Sequence, residues 1–105
     1  PYYLGNLFYD RRRYAEAIDC WKKSARLDPS FAIVWRNLGV ASFNILKRPD
    51  LARTAYAKAC RAAPDDARLF YERDQLDARL RVSPLKRLRA IERRHDLVAQ
   101  REDIC

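Results

Sequence analysis

Methionine is absent from this 105-residue chain, glycine occurs only twice and histidine only once. Without a starting methionine the chain is expected to be a piece of a longer protein, with cut edges at both ends. Two glycines leave no room for a glycine-rich phosphate loop, and a lone His95 gives little to build a metal set or a catalytic pair on. Cys20, Cys60 and Cys105 are odd in number and widely spaced, with no Cys-x-x-Cys pair. That spacing argues against a disulfide framework and against a zinc site. It suits reduced thiols in a cytoplasmic protein, with Cys20 and Cys60 packed as small hydrophobes in helices. No apolar run approaches the ~20 residues that a membrane span needs. The start, Pro1-Tyr2-Tyr3-Leu4, also lacks the basic residues and cleavage site of a signal peptide.

What the chain does hold is a folding composition, 49% hydrophobic and 34% charged. Its length suits one modest core. The net charge of +8 is spread evenly: +2 over residues 1–31, +3 over 32–66 and +3 over 67–105. An even spread argues against a dedicated basic arm, although a pI near 9.8 keeps nucleic acid open as a partner.

Periodicity is the main signal. Leu4-Gly5 returns as Leu38-Gly39, 34 residues on, and Ala17, Trp21, Ser24 and Pro29 return as Ala52, Tyr56, Ala59 and Pro64, each 35 residues on. The second copy therefore carries one extra residue between Gly39 and Ala52. A fixed period of this size marks a stacked array of helix pairs. Glycine lets the first helix approach the second, alanine answers it, the ring of Trp21 or Tyr56 fills the wider gap, and proline ends the second helix. The pattern predicts helices over 1–12, 14–27, 31–46, 49–62, 66–81 and 84–94, and a seventh from about 96. Asp50, Asp65, Ser83 and Asp96 stand as caps or first-turn acids.

Trp35, Leu38-Gly39, Phe43 (one place late), Ala52, Tyr56, Ala59 and Pro64 resemble the tetratricopeptide repeat. Leu4-Gly5, Phe8, Ala17, Trp21, Ser24 and Pro29 repeat the pattern without its opening residues. The resemblance is specific over residues 1–66. Beyond them Phe70 takes the Trp place, but Arg73 and Asp74 replace Leu-Gly. It implies an all-α fold of antiparallel helix pairs stacked as a right-handed α-solenoid. Residues 1–31 form a truncated first repeat, 32–66 a second and 67–95 a degenerate third pair, with 96–105 starting a further helix. The stretches Tyr2 to Pro29, Leu69 to Leu76 and Val98 to Ile104 also look like the repeat region of large bacterial proteins whose other domain is uncharacterised. A second family, the half-repeat type of RNA-processing proteins, is similar over Pro49 to Tyr56, but it lacks the two Leu-Gly pairs and expects an acid that is missing here.

In the tetratricopeptide family the first helices line a concave groove that binds protein or peptide. Carried over, its positions are Tyr2, Asn6, Tyr9 and Asp10, then Ile33, Arg36, Asn37, Val40, Phe43 and Asn44, then Arg68, Tyr71, Glu72, Gln75 and Arg79. Three- and four-residue spacing puts each set on one stripe of its helix. Members that clamp a chaperone tail hold its carboxylate with Lys, Asn, Asn, Lys and Arg. Those places read Tyr2, Asn6, Asn37, Arg68 and Glu72, so Tyr2 and Glu72 break the clamp. The alternatives to a peptide scaffold are a structural spacer, its groove filled by its own parent chain, and an RNA- or DNA-associated repeat.

Arg11-Arg12-Arg13 reads as a solvated turn. Lys86, Arg87, Arg89, Arg93 and Arg94 oppose an apolar stripe of Leu85, Leu88 and Ile91, the pattern of an ordinary amphipathic helix. With no nucleic-acid reader motif, nucleic acid is not the expected partner. Asp65-Asp66 and Asp74/Asp77 are assigned to a cap and to an exposed helix face, and His95 to a helix end. The reading is of a binding module with no cofactor, no metal and no catalytic site, and of apolar ends (Tyr2, Leu4, Leu97, Val98, Ile104) through which the piece self-associates.

Overall fold

The computed structural model describes residues 1–104, and the side chains of residues 1–99. Its helices are α1 (Tyr2–Asp10), α2 (Tyr14–Leu27), α3 (Ala32–Asn44), α4 (Pro49–Ala62), α5 (Ala67–Arg79) and α6 (Pro84–Ile104). No strand occurs among the described residues, so the fold is all-α helical repeats. Odd-numbered helices are the first of each pair and even-numbered ones the second.

The core follows the repeating positions. Ala17, Trp21 and Ala25 of α2 are buried with Val34, Leu38 and Ala41 of α3. Ala52 and Tyr56 of α4 meet Leu76 of α5, and Ala59 and Cys60 meet Leu69. Each large apolar side chain taken out of water stabilises the stack by about 1.5–3 kcal/mol. Small residues matter differently: a Cβ on Gly5 would lie 2.5 Å from the Trp21 ring, so no side chain fits there.

Every turn from a first helix to a second puts one residue in the left-handed region: Arg12 (φ 61°), Lys47 (φ 54°) and Arg81 (φ 60°). Such a residue closes the helix by letting the next N–H reach back to a free carbonyl. Arg13 N donates to Phe8 O at 2.8 Å and Val82 N to Asp77 O at 2.9 Å, each five residues back. In the second pair Arg48 N reaches six back, to Ser42 O at 2.9 Å. The extra residue of the second repeat therefore lies between Ser42 and Arg48, and Ser42, not Phe43, stands at the place of Phe8.

The third pair keeps this turn but not the close approach. The backbones of α1 and α2, and of α3 and α4, run close together, whereas those of α5 and α6 do not. Asp74 stands where the glycine would be, and Arg87 of α6 binds it through two contacts of 2.9 Å. An ion pair at arm's length takes the place of backbone contact.

Four expectations need correction. Helix α6 runs unbroken through Arg94–Asp96, because no glycine or proline follows Pro84 to interrupt it. His95 is thus an exposed mid-helix residue, not one at a helix end, and Asp96 caps nothing. Asp66, not Asp65, caps α5, accepting from Arg68 N at 3.0 Å and Leu69 N at 3.4 Å. Asp74 and Asp77 are not on an exposed face: Asp77 is buried and pairs with Arg53 of α4 at 3.1 Å. Ser83 does cap α6, its hydroxyl accepting from Lys86 N at 3.3 Å. Of the expected apolar ends, Leu4 and Leu97 are exposed and Tyr2 and Val98 half-buried. Ile104 lies outside the described side chains, and Cys105 outside the described residues.

Candidate functional site

The stripes on α1, α3 and α5 line two adjoining hollows. The first, about 400 Å³, is lined by Tyr2, Asn6, Tyr9 and Asp10 of α1 and by Ile33, Arg36, Asn37 and Val40 of α3, with Trp21 of α2 joining them. Val40 also lines the second, about 230 Å³, with Phe43 and Asn44 of α3. Tyr71, Glu72, Gln75, Leu76 and Arg79 of α5 and Tyr56 of α4 complete it. Arg68 is the exception among the groove candidates. It sits in the first turn of α5, exposed, and lines neither hollow. It falls at the helix start, one turn earlier than Tyr71 and Glu72.

Sequence reasoning alone placed Trp21 and Tyr56 in the gap between paired helices and gave Leu76 no role, yet all three line the hollows. The missed signal is the glycine opposite each ring. Because Gly5 and Gly39 carry no side chain, Trp21 and Tyr56 slide across them far enough to present an edge on the first-helix side.

Polar side chains tie the first helices together across this face. Asn6 Oδ1 accepts from Trp21 Nε1 at 3.1 Å, with Asn37 Nδ2 at a long 3.5 Å. Glu72 Oε1 accepts from Arg36 Nε at 3.0 Å and from the Tyr56 hydroxyl at 3.0 Å. Burial alone would lower the Arg36 pKa, but the hydrogen bond and charge of Glu72 outweigh it and hold it above its ordinary value. Tyr56 is pushed up to about 12, by burial first and then by the Glu72 carboxylate. Charge-assisted bonds of this kind are about twice as strong as neutral ones. Arg36 and Glu72 thus neutralise each other, and the guanidinium of Arg79 lies 5.2 Å from the centre of the Phe43 ring. The face left over is one of aromatic edges and amides.

The basic residues of α6 do not form one continuous stripe. Arg87 is held by Asp74, and Arg94 lies over the Phe70 ring at 5.4 Å. Lys86, Arg89 and Arg93 are exposed, as is the run Arg11-Arg12-Arg13, whose last member pairs with Glu16. Among the described residues no helix is long and apolar enough to cross a membrane.

The tetratricopeptide repeat profile matches residues 2–67. Over 68 residues, 65% of this chain, it is 37% identical to a peroxisomal targeting signal receptor of Candida albicans. Over the same share it is 32% identical to the receptors so named of Kluyveromyces lactis and Saccharomyces cerevisiae. The match spans 11% of the Candida and Saccharomyces relatives and 12% of the Kluyveromyces one.

Proposed function

The chain belongs to the tetratricopeptide repeat family, and from that membership we propose that it binds an extended segment of another polypeptide along the face of α1, α3 and α5. The observation that carries the reading is the continuity of two hollows through Val40, across three consecutive first helices. Tyr2, Tyr9, Phe43 and Tyr71 supply rings, which give contact area at little entropic cost. Asn37, Asn44 and Gln75 supply amides, which both donate to and accept from a peptide backbone. Since Arg36 and Glu72 are spent on each other, a strongly charged ligand is not what this face suits. The relatives are named as peroxisomal targeting signal receptors, and a receptor binds a partner, which supports a binding role here.

The role is that of a binding module in the cytoplasm, not of a catalyst. His95 is exposed on α6 while Cys60 is buried on α4, and burial holds its thiol above its ordinary value. A buried, protonated thiol is a poor nucleophile.

Selection from an unbiased library of unstructured peptides tests the reading. Ordering a free segment costs several kcal/mol, so selected peptides should bind at around the micromolar level. Asn37→Ala with Tyr71→Ala should weaken them at least tenfold, at the ~1.4 kcal/mol per tenfold that two lost contacts supply, while helicity stays intact. Peptides that bind this double variant as well as the parent chain would refute the groove.

A further inference from the structure

Away from the groove, α4, α5 and α6 enclose a separate hollow of about 120 Å³ that shares no residue with it. Cys60, Pro64, Phe70 and Ala90 give it an apolar part. Arg61, Arg73, Arg93 and Arg94 give it the rest, and no lining residue is acidic. Among the described residues none of these four arginines takes part in an ion pair. The acid felt at Cys60, Asp66, has its Oδ1 committed to capping α5. Arg94 is the most constrained of the four. Its guanidinium lies over Phe70, and its Nε is buried with no hydrogen-bond partner. A buried charged donor without an acceptor is destabilising, and gathered like charges add to the cost.

We infer that this hollow is a binding site for a small oxyanion of the phosphate class. A phosphate group presents several acceptor oxygens and up to two negative charges, enough to engage three or four guanidinium forks at once. A carboxylate, with two oxygens and one charge, leaves most of the arginines unmatched. The planar fork of arginine suits phosphate, and stacking on an aromatic ring holds its plane in place. The ligand would also do structural work. With α5 and α6 held apart along their backbones, an anion bridging Arg73 of α5 to Arg93 and Arg94 of α6 fastens α6 to the rest of the stack. Free phosphate and a phosphate ester carried by a small molecule share this chemistry.

Cys60 is buried and alkylates only when the hollow opens, so its slow alkylation, followed by peptide mass spectrometry with Cys20 as internal control, reads how firmly an occupant holds the hollow closed. Inorganic phosphate, and separately a phosphomonoester such as phenyl phosphate, should slow Cys60 alkylation severalfold relative to chloride at equal ionic strength. Cys20 should not respond, and amide exchange along α6 should slow. Tighter protection by the ester marks a small-molecule ester as the source, and equal protection marks free phosphate. Arg94→Gln and Arg73→Gln should each weaken the effect about tenfold, the loss of one charge-assisted contact; Arg89→Gln, outside the hollow, should leave it unchanged. Should Arg94→Gln fail to fold, Arg93→Gln carries the same expectation. Protection equal in chloride, or retained in full by the variants that fold, overturns the site. So does binding only to oligonucleotides with no dependence on Arg73, Arg93 or Arg94.

Discussion

A Cβ placed on Gly39 would fall 2.6 Å from the Tyr56 ring, well inside contact distance. The ring cannot swing away freely, because its hydroxyl is tied to Glu72 at 3.0 Å. Gly39→Ala should therefore destabilise the chain by about 1–3 kcal/mol despite alanine's better helix propensity, and Gly39→Leu by more. Chemical denaturation measures both. Pairing Gly39→Ala with Tyr56→Leu should recover part of the loss, since the smaller side chain vacates the space. A Gly39→Leu chain as stable as the parent would contradict this register.

Tyr56 should ionise late. Its pKa is raised from 10.0 to about 12 in the folded chain, so the folded state keeps that proton longer than the unfolded one. The stability it contributes is complete below about pH 10 and is lost as pH rises through 12. Tyrosinate absorbance followed against pH should show one late transition, absent in Tyr56→Phe. That variant should also lose about 1.5–3 kcal/mol, the worth of a hydrogen bond to a charged acceptor.

Asp74 and Arg87 should decide how firmly α6 is docked. The Arg87 hydrogen bonds hold the Asp74 carboxyl below its ordinary value of 3.8. A depressed acid stabilises the fold above its unfolded pKa, and that share is lost as pH falls through the folded one. Hydrogen exchange should then show α6 opening before α1–α4 under acid. In Asp74→Asn the same early opening should appear at neutral pH, with α1–α4 unaffected.

Apolar surface at the two ends should drive self-association. Tyr3 is 83% and Leu27 77% exposed at one end, and Leu85, Leu88 and Ile91 lie exposed along α6 at the other. Stacked repeats bury such faces on neighbours. Light scattering should report association that grows with concentration, and Leu85→Glu with Leu88→Glu should reduce it without lowering the unfolding midpoint. A parent chain that remains monomeric at high concentration would count against it.

The residues of the amino-acid sequence determined a good deal by themselves. Gly5, Gly39, Ala17, Ala52, Pro29 and Pro64 specify the all-α repeat through local sterics, and steric constraints act at fixed spacing along the chain. Fourteen of the fifteen groove candidates, all but Arg68, lie on the hollows for the same reason: helical periodicity alone puts them on one face. Partnership was another matter, and only the tertiary structure decided it. Asp77 looked like a surface acid until α4 brought Arg53 within 3.1 Å, and Glu72 like a groove acid open to ligand until Arg36 and Tyr56 closed on it. The four arginines of the outer hollow come from three helices, and no spacing along the chain announces that they meet. An ion pair depends on distance in space between residues far apart in sequence, and that distance exists only once the helices have packed.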